Sequence, residues 1–367
     1  MLSIGCKGKN MILNVLATIN LEIAAVVRRR GKIIFPLAMI FLWLLMSGNT
    51  TSPDRYTYIY TYNRFTHIDM NGSMEIGYQL FMYMAKKMGL NFQGFLAIYF
   101  AIALLIFYAA IKSLAKNNLL VLGLYILYPM ILDSDQIRSF MGACIVLLGL
   151  TYIIKGKAYS VWIYGGLCIC AGLFQQSCFI YLIYMFVLFS EQLIRNIAIV
   201  VICFLAFGRK YIVWLTSKFT VFNLARVMGY LNNSEAKENW IIYAVFYVFI
   251  ILFSNYVSRK YINEQDNGVN YDKFFRKINW LSLSFVFLLT LSPHFERLLR
   301  PVLILDYIEL TNRINRKIKS WHELYIISIL LFITIARFTI YCIGAGYDSY
   351  IIPIFENGFN MCGWIDL

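Results

Sequence analysis

The chain has 367 residues, of which 60% are hydrophobic and only 14% are charged. A soluble domain averages about 45–50% apolar and about 25% charged residues, so a chain of this length cannot bury its apolar surface in a water-soluble core. The net charge of +14 at pH 7 is typical of cytoplasmic loops and anionic-lipid contacts in a membrane protein. The composition therefore predicts an integral membrane protein that contacts lipids, and it argues against a nucleic-acid-binding one.

Continuous apolar runs between short polar connectors predict transmembrane helices, because the strands of a β-barrel would alternate polar and apolar residues. In chain order, the predicted spans are 33–47, 94–111, 119–132, 139–154, 158–173, 178–189, 197–207, 240–257, 278–291, 298–310 and 324–343. The stretch 11–27 is a twelfth candidate that either spans or lies in the interface, because Glu22 interrupts it. The predicted fold class is all-α and polytopic, with about 11–12 transmembrane helices in a single helical domain, 1–367.

The charges of the connectors predict the orientation of the chain. Basic residues cluster at 28–32, 155–157, 259–277 and 313–319, which fall on one side if the spans alternate. The tail after Ile343 contains no Lys or Arg. Because basic loops stay in the cytoplasm, we expect a multi-pass protein of an inner (cytoplasmic) membrane whose C-terminus lies outside.

Two long connectors are predicted to lie on the outer face, at 48–93 and 208–239. Within the first, residues 74–88 carry apolar side chains at helical spacing, with Lys86 and Lys87 at the end. This pattern predicts an amphipathic helix on the membrane surface.

Four arginines fall at or near the predicted outer ends of spans. Arg138 opens one span, Arg297 and Arg300 open another, where Pro301 is expected to break or kink the helix, and Arg337 lies in the outer half of the last. An arginine near a span end can reach the headgroups, but this explanation fits Arg337 less well. Since charges in spans are costly and guanidinium groups bind phosphate in bidentate fashion, we predict one cavity for a diphosphate-bearing lipid.

Several acidic residues on the same predicted side are candidate partners of the arginines, although exposed loop carboxylates are usually only solvated. They are Asp54, Glu75, Asp133 and Asp135. Tyrosines 56, 58, 60 and 62 can stack on sugar rings, although an aromatic girdle at the interface is their commoner use. The three histidines are scattered and the cysteines show no CxxC spacing, so we expect no metal and no cofactor.

Several short motifs follow one another along the predicted outer side. They are Asp54 with Tyr58, Glu75-Ile76-Gly77-Tyr78, Ile137-Arg138, Phe174-Gln175-Gln176-Ser177, Glu296-Arg297 and Tyr350–Pro353. This series resembles the EpsG-type, Wzy-like polymerases of bacterial surface polysaccharides such as O-antigen, over residues 48–189 and again over 293–353. The chain departs from that pattern at Ser139, where glutamine is frequent, and at Gln175, where histidine is frequent. Glutamine does not titrate, so Gln175 cannot be a general base, but it can hydrogen-bond a sugar hydroxyl.

The resemblance implies a metal-independent glycosyltransferase of GT-C-like architecture. It would move a growing chain from polyprenyl (undecaprenyl) diphosphate onto a sugar hydroxyl of a new lipid-linked repeat unit, with a chain-length regulator protein as a further partner. Under this interpretation Arg138, Arg297, Arg300 and Arg337 bind the diphosphates, and Gln175 and Tyr58 contact the sugars. Asp54 or Glu75 would position or deprotonate the acceptor.

Two other functions remain compatible with the sequence. A transporter or flippase of a lipid-linked oligosaccharide would share the basic cavity, but should place charged or broken helices at mid-membrane in paired positions. A membrane acyltransferase usually needs a catalytic histidine, and neither His67 nor His294 has an evident partner. The outward position of the charges favours the polymerase.

Overall fold

The computed structural model describes residues 2–28, 31–49, 51–70, 74–155, 159–207, 240–261, 268–290, 292–315 and 320–357. Every secondary-structure element in these ranges is a helix. A helix satisfies its backbone hydrogen bonds internally, which a segment surrounded by lipid requires. The predicted all-α class is confirmed.

The helices follow one another with short connections. In order they are α1 (Leu2–Arg28), α2 (Ile34–Gly48), α3 (Pro53–Arg64), α4 (Ile76–Lys87), α5 (Phe92–Leu114), α6 (Asn118–Leu127), α7 (Met130–Asp135), α8 (Ile137–Ile154), α9 (Ser160–Gly172), the 3-10 helix Gln176–Leu188, α10 (Glu191–Phe207), α11 (Trp240–Lys260), α12 (Gly268–Val286), the 3-10 turns Phe287–Thr290 and Pro293–Leu298, α13 (Arg300–Asn312), α14 (Trp321–Tyr341), the π-helix Cys342–Ile351 and α15 (Ile352–Asn357). The helix predicted within 74–88 is present as α4. The predicted loop 208–239 lies outside the described residues.

Length and apolar composition identify the candidate membrane spans. Among the described helices, α5, α8, α11 and α14 are each long and apolar enough to cross a membrane. Helices α2 and α3 pass the same test together, although they are bent by 72° at their junction. Shorter apolar helices occur at Met11–Val27, Asn118–Leu127, Ser160–Gly172 and Gln176–Leu188. The protein is thus a multi-pass membrane protein, while the larger predicted number of spans stays a prediction.

Prolines and tight winding explain where the helices differ from the predicted spans. The span predicted at 119–132 is divided at Pro129, between α6 and α7, because proline supplies no N–H and disfavours helix at the preceding residue. At Pro301 the chain shows a break and not a kink, since α13 begins at Arg300 and proline is tolerated in the first turn of a helix. The 3-10 helix Gln176–Leu188 has 13 residues, and at about 2.0 Å per residue it is about 26 Å long.

The contacts divide the chain into two compact units. The first comprises Met1–Thr151, Gly166–Phe179 and Thr311–Leu367, and the second comprises Tyr152–Gly165 and Ile180–Leu310. All the candidate site residues except Arg297 and Arg300 belong to the first unit. Whether the protein acts as the predicted single domain stays a prediction.

Within the first unit, α5 is the helix against which α2, α3 and α4 pack. Its N-terminus is capped by the Asn91 side chain, which accepts the Gly94 N–H over 3.0 Å. The Tyr62 hydroxyl, near the end of α3, donates to the Leu90 carbonyl over 2.7 Å, and its ring stacks on Phe95 with centroids 5.2 Å apart. These contacts hold α3 against the beginning of α5.

Within the second unit, α10, α11 and α12 pack together around an ion-pair cluster. Glu191 accepts from Arg259 and from Arg276, each over 3.1 Å. In the same unit, the Tyr181 hydroxyl donates to the Leu298 carbonyl over 2.7 Å. This bond fixes the segment between the turn Pro293–Leu298 and the start of α13.

Candidate functional site

A close backbone contact joins the start of α4 to the turn that follows α9. The Gly77 N–H donates to the Leu173 carbonyl over 2.8 Å. A Cβ atom at residue 77 would lie 2.8 Å from that oxygen, which is tighter than side chains tolerate, so the approach requires a glycine. The glycine of the Glu75–Tyr78 motif therefore lets α4 reach the Phe174–Ser177 motif.

Glu75 links three segments of the first unit. It stands at the N-cap position of α4 and is only 7% exposed. One carboxylate oxygen forms an ion pair with Arg138 Nη1 at the start of α8. The other accepts the Gln176 N–H over 3.4 Å. A buried carboxylate needs such partners, because desolvation of an unpaired charge is costly.

Arg138 is held between Glu75 and two tyrosines. Its Nε lies 3.5 Å from the Tyr58 hydroxyl of α3, and its guanidinium carbon is 5.7 Å from the Tyr58 ring centroid and 6.0 Å from that of Tyr78. Its side chain keeps 15% exposure. The structure thus brings together three residues predicted for the site, Tyr58, Glu75 and Arg138.

An aromatic cluster supports the tyrosines that flank Arg138. The Tyr58 and Tyr78 rings are 5.9 Å apart, Tyr78 and Tyr99 are 5.6 Å apart, and Phe81 and Phe174 are 5.5 Å apart. Edge-to-face and offset pairs at these distances add to the stabilisation from burial. The Tyr78 hydroxyl is buried without a hydrogen-bond partner among the described residues. The cluster fixes the ring faces beside the Arg138 guanidinium.

Asp54 lies in the first turn of α3, which is the helix that carries Tyr58. Its side chain is exposed, so it is the predicted carboxylate that solvent reaches. Its backbone N–H donates to Asp135 Oδ1 of α7 over 3.3 Å. Asp54 and Glu75 therefore differ in environment, the first being exposed and the second buried in an ion pair.

Gln175 lies in the turn between α9 and the 3-10 helix, half-buried. A Cβ atom added at Gly142 of α8 would lie 3.6 Å from Gln175 Cβ, which places Gln175 beside α8. The neighbouring Gln176, and not Gln175, supplies the contact with Glu75. The turn is therefore attached to the site through its backbone.

Arg337 belongs to the same unit and is buried inside protein. It is 2% exposed, and its guanidinium carbon lies 4.7 Å from the Tyr128 ring centroid, within the range of a cation–π contact. An arginine that reached the headgroups would be exposed, so the burial of Arg337 argues against that role.

Arg297 and Arg300 belong to the second unit. Arg297 is half-buried in the 3-10 turn Pro293–Leu298, and Arg300 is 2% exposed at the start of α13. The sequence predicts that the two arginines open one span, but they do not lie on one continuous helix. The chain passes from a 3-10 turn to an α-helix between them. The adjacent Glu296 is also buried and accepts from the Tyr247 hydroxyl over 3.4 Å.

Histidine, cysteine and carboxylate side chains are the usual protein ligands of metal ions. Within the described ranges, no group of three or more of them could hold a metal ion. The positive charge near Tyr58 in the first unit is supplied by Arg138 and by the buried Arg55 of α3.

A profile of the EpsG family matches residues 32–353. The chain belongs to the EpsG family. This is the family of the Wzy-like polysaccharide polymerases, and the resemblance seen in the motifs is thereby confirmed. No curated protein and no solved structure matches the chain significantly, so the GT-C-like architecture stays a prediction.

The EpsG match contains every candidate site residue and leaves out α1. Three EpsG motifs meet in one network, since Glu75 binds Arg138 and the backbone beside Gln175. The roles assigned to these residues stay predictions. The network thus joins motifs that lie far apart in the sequence.

Sequence reasoning missed Arg55, which is fully buried. Its Nη2 donates to the carbonyls of Ser134 and, over 3.4 Å, of Met46. A signal was present, because residues 55, 58 and 62 follow helical spacing and share the buried face of α3. The interpretation of the α3 tyrosines as an aromatic girdle at the interface does not predict a buried face on this helix.

Proposed function

We propose that this EpsG-family protein joins polyprenyl-diphosphate-linked oligosaccharide repeat units into a surface polysaccharide, such as O-antigen, at the outer face of the bacterial inner membrane. The observation that supports it most is Arg138, held by Glu75 and flanked by Tyr58, at the meeting point of the family motifs. A partly exposed guanidinium beside aromatic faces suits a ligand that carries both phosphate and sugar.

The proposed reaction is a glycosyl transfer. A hydroxyl oxygen of the acceptor sugar forms a bond with the anomeric carbon of the lipid-linked chain, while the bond from that carbon to the diphosphate oxygen breaks. The electron pair leaves with the polyprenyl diphosphate, and the hydroxyl proton passes to a base on the protein. Charge develops on the diphosphate, so fixed positive groups there lower the barrier.

The two predicted carboxylates differ in burial, and this difference supports assigning them different roles. Glu75 is buried and shared between Arg138 and the Gln176 N–H, so its role here is to orient the arginine. Asp54 is exposed on the helix that carries Tyr58, so we propose that Asp54 is the base that accepts the proton of the acceptor hydroxyl.

The remaining arginines are also proposed to bind diphosphate groups, Arg337 within the first unit and Arg297 and Arg300 within the second. Arg337 and Arg300 are each 2% exposed, and a buried guanidinium interacts strongly with an anion because little water screens it. The arginines would provide the positive charge that a metal supplies in other transferases, and Gln175 would contact the sugars.

Deletion of the gene, followed by gel analysis of the surface polysaccharide, tests the proposal. A polymerase mutant loses the ladder of long chains but keeps a single repeat unit. Loss of all repeat units would indicate a flippase, and an unchanged ladder would refute both functions.

Complementation with variants tests the site. Arg138→Ala and Arg337→Ala should fail to restore the ladder, measured per molecule of protein present in the membrane. Arg64→Ala is the matched control, because Arg64 is an exposed arginine of α3 whose guanidinium lies over the Tyr60 ring. Normal ladders with both Arg138→Ala and Arg337→Ala would refute the assigned site.

A further inference from the structure

The connection between α7 and α8 contacts both helices that carry the proposed carboxylates. It consists of residues 134–138, which we call the α7–α8 corner. At one end, Asp135 and Ser134 bind the first turn of α3, and at the other end Arg138 binds Glu75 at the start of α4. A short segment therefore connects the helix that carries Asp54 to the start of the helix whose N-cap residue is Glu75.

The N-terminus of α3 is capped by a residue of another helix. Ser52 is at its N-cap position, but the Ser52 side chain accepts no capping hydrogen bond. Its hydroxyl instead donates to Asp135 Oδ1 over 2.6 Å, and the same oxygen accepts the Asp54 N–H over 3.3 Å. Since Pro53 has no N–H, Asp54 carries the first N–H of the helix, and Asp135 satisfies it.

A second fastening reinforces the same junction. Arg55 donates to the carbonyl of Ser134, the residue beside Asp135. Asn49 Nδ2 lies 3.2 Å from Ser52 Oγ and 3.4 Å from Ser134 Oγ. All these side chains are buried, so the first turn of α3 is fixed to the corner with little freedom.

We propose that Asp135 is a positioning residue of the polymerase, which holds the first turn of α3, and with it Asp54 and Tyr58, in register with Arg138. The proposal rests on the proposed function. It assigns the role to the acceptor oxygen of Asp135 and not to its charge.

Burial separates this role from that of a catalytic base. Asp135 is 2% exposed, and its Oδ1 is already shared by the Ser52 hydroxyl and the Asp54 N–H. Exposed Asp54, one residue into the helix, is reached by solvent. Asp135 thus acts through α3 and does not touch the acceptor sugar.

The test compares Asp135→Asn with Asp135→Ala in the deletion strain, with the ladder and the amount of membrane protein both measured. Asparagine keeps an acceptor oxygen, so Asp135→Asn should restore a normal ladder. Alanine removes it, and loss of a helix cap of this kind should reduce long-chain product about tenfold per molecule of protein. Ser52→Ala removes one of the two hydrogen bonds from the other side and should give a smaller reduction.

The double variant Ser52→Ala/Asp135→Ala checks that both changes act through one contact. It should lose little more product than Asp135→Ala alone, because the shared hydrogen bond is already gone and only the contact of Ser52 with Asn49 is newly removed. If the Asp135→Ala protein does not accumulate in the membrane, the Ser52→Ala variant tests the proposal instead. A reduced ladder at a normal amount of Ser52→Ala protein supports the proposal, and a normal ladder overturns it.

The remaining outcomes are also decisive. Asp135→Asn as defective as Asp135→Ala would overturn the proposal, since the charge would then matter, and so would a normal ladder with Asp135→Ala. A deletion strain that keeps its full ladder would instead refute the proposed function, and the positioning role with it.

Discussion

The two ends of the α7–α8 corner bind their neighbours by different chemistry. At the Arg138 end, a guanidinium and the carboxylate of Glu75 form a buried ion pair. At the Asp135 end, one carboxylate oxygen accepts from the Ser52 hydroxyl and the Asp54 N–H. An ion pair depends on both charges, whereas a cap needs only an acceptor. The difference predicts that substitutions which remove charge are severe at one end and mild at the other.

Arg138→Ala should have the largest effect. We expect complete loss of the ladder, because the proposed diphosphate ligand is lost. The substitution also leaves Glu75 buried without its cation, which costs about 3–5 kcal/mol when one partner of a buried pair is removed. The amount of protein in the membrane should fall as well, which immunoblotting of membranes measures.

The double variant Glu75→Gln/Arg138→Ala separates these two losses. It removes the unpaired charge, so the amount of protein should recover while the ladder stays absent. A ladder that recovers together with the protein would show that Arg138 is only structural.

Asp54→Asn should come next. If Asp54 takes the acceptor proton, its loss should slow polymerisation by about 10²–10⁴-fold, the usual contribution of a general base. Protein amount should be unchanged, because the side chain is exposed and its backbone N–H still reaches Asp135. Glu75→Gln is the comparison: the amide keeps one acceptor oxygen but loses the charge that pairs with Arg138, so less protein should reach the membrane. A larger loss of ladder per molecule of protein than in Asp54→Asn would reverse the two assigned roles.

The helical fold and the charged residues of the site could be predicted from the sequence. The partners of those charges could not be. Apolar runs fix the helical class, and the charges of Glu75 and Arg138 mark them as costly unless paired. The partner of each charge depends on contacts between residues far apart in the chain, such as Asp135 with Ser52. The local sequence pattern does not indicate which residues far apart in the chain come into contact. Pro129 did carry a local signal, and the division of the predicted span 119–132 could have been foreseen from it.

Gly77→Ala should have a smaller effect. The added Cβ would lie 2.8 Å from the Leu173 carbonyl oxygen, so α4 must move away from the turn and weaken the hydrogen bond there. Overpacking of this kind costs about 1–3 kcal/mol, which should appear as lower thermal stability in detergent and a weaker ladder. Gly89→Ala is not a neutral control because its φ is +70°, whereas Gly166→Ala meets nothing within 4 Å and should be tolerated.

The smallest predicted effect concerns pH and the Asp135 end of the corner. Burial, followed by the nearby Asp54 carboxylate, raises the pKa of Asp135 to about 6, against the opposing effects of the Ser52 hydrogen bond and the Arg55 charge. Asp135 lies outside the candidate spans. Because the folded-state pKa is above the unfolded one, the stability that this group contributes is present below about pH 4. It is lost as the pH rises through about 6.

Asp135→Asn should therefore be more stable than the unsubstituted protein at pH 7, by about 2–4 °C in thermal unfolding. The two proteins should converge as the pH falls to 4, since the carboxyl is then neutral as well. Measuring the difference between them cancels the titration of other groups. Lower stability of Asp135→Asn at pH 7 would mean that Arg55 needs the carboxylate charge. The Asp135 end would then hold its helix as the Arg138 end does, by a pair of charges.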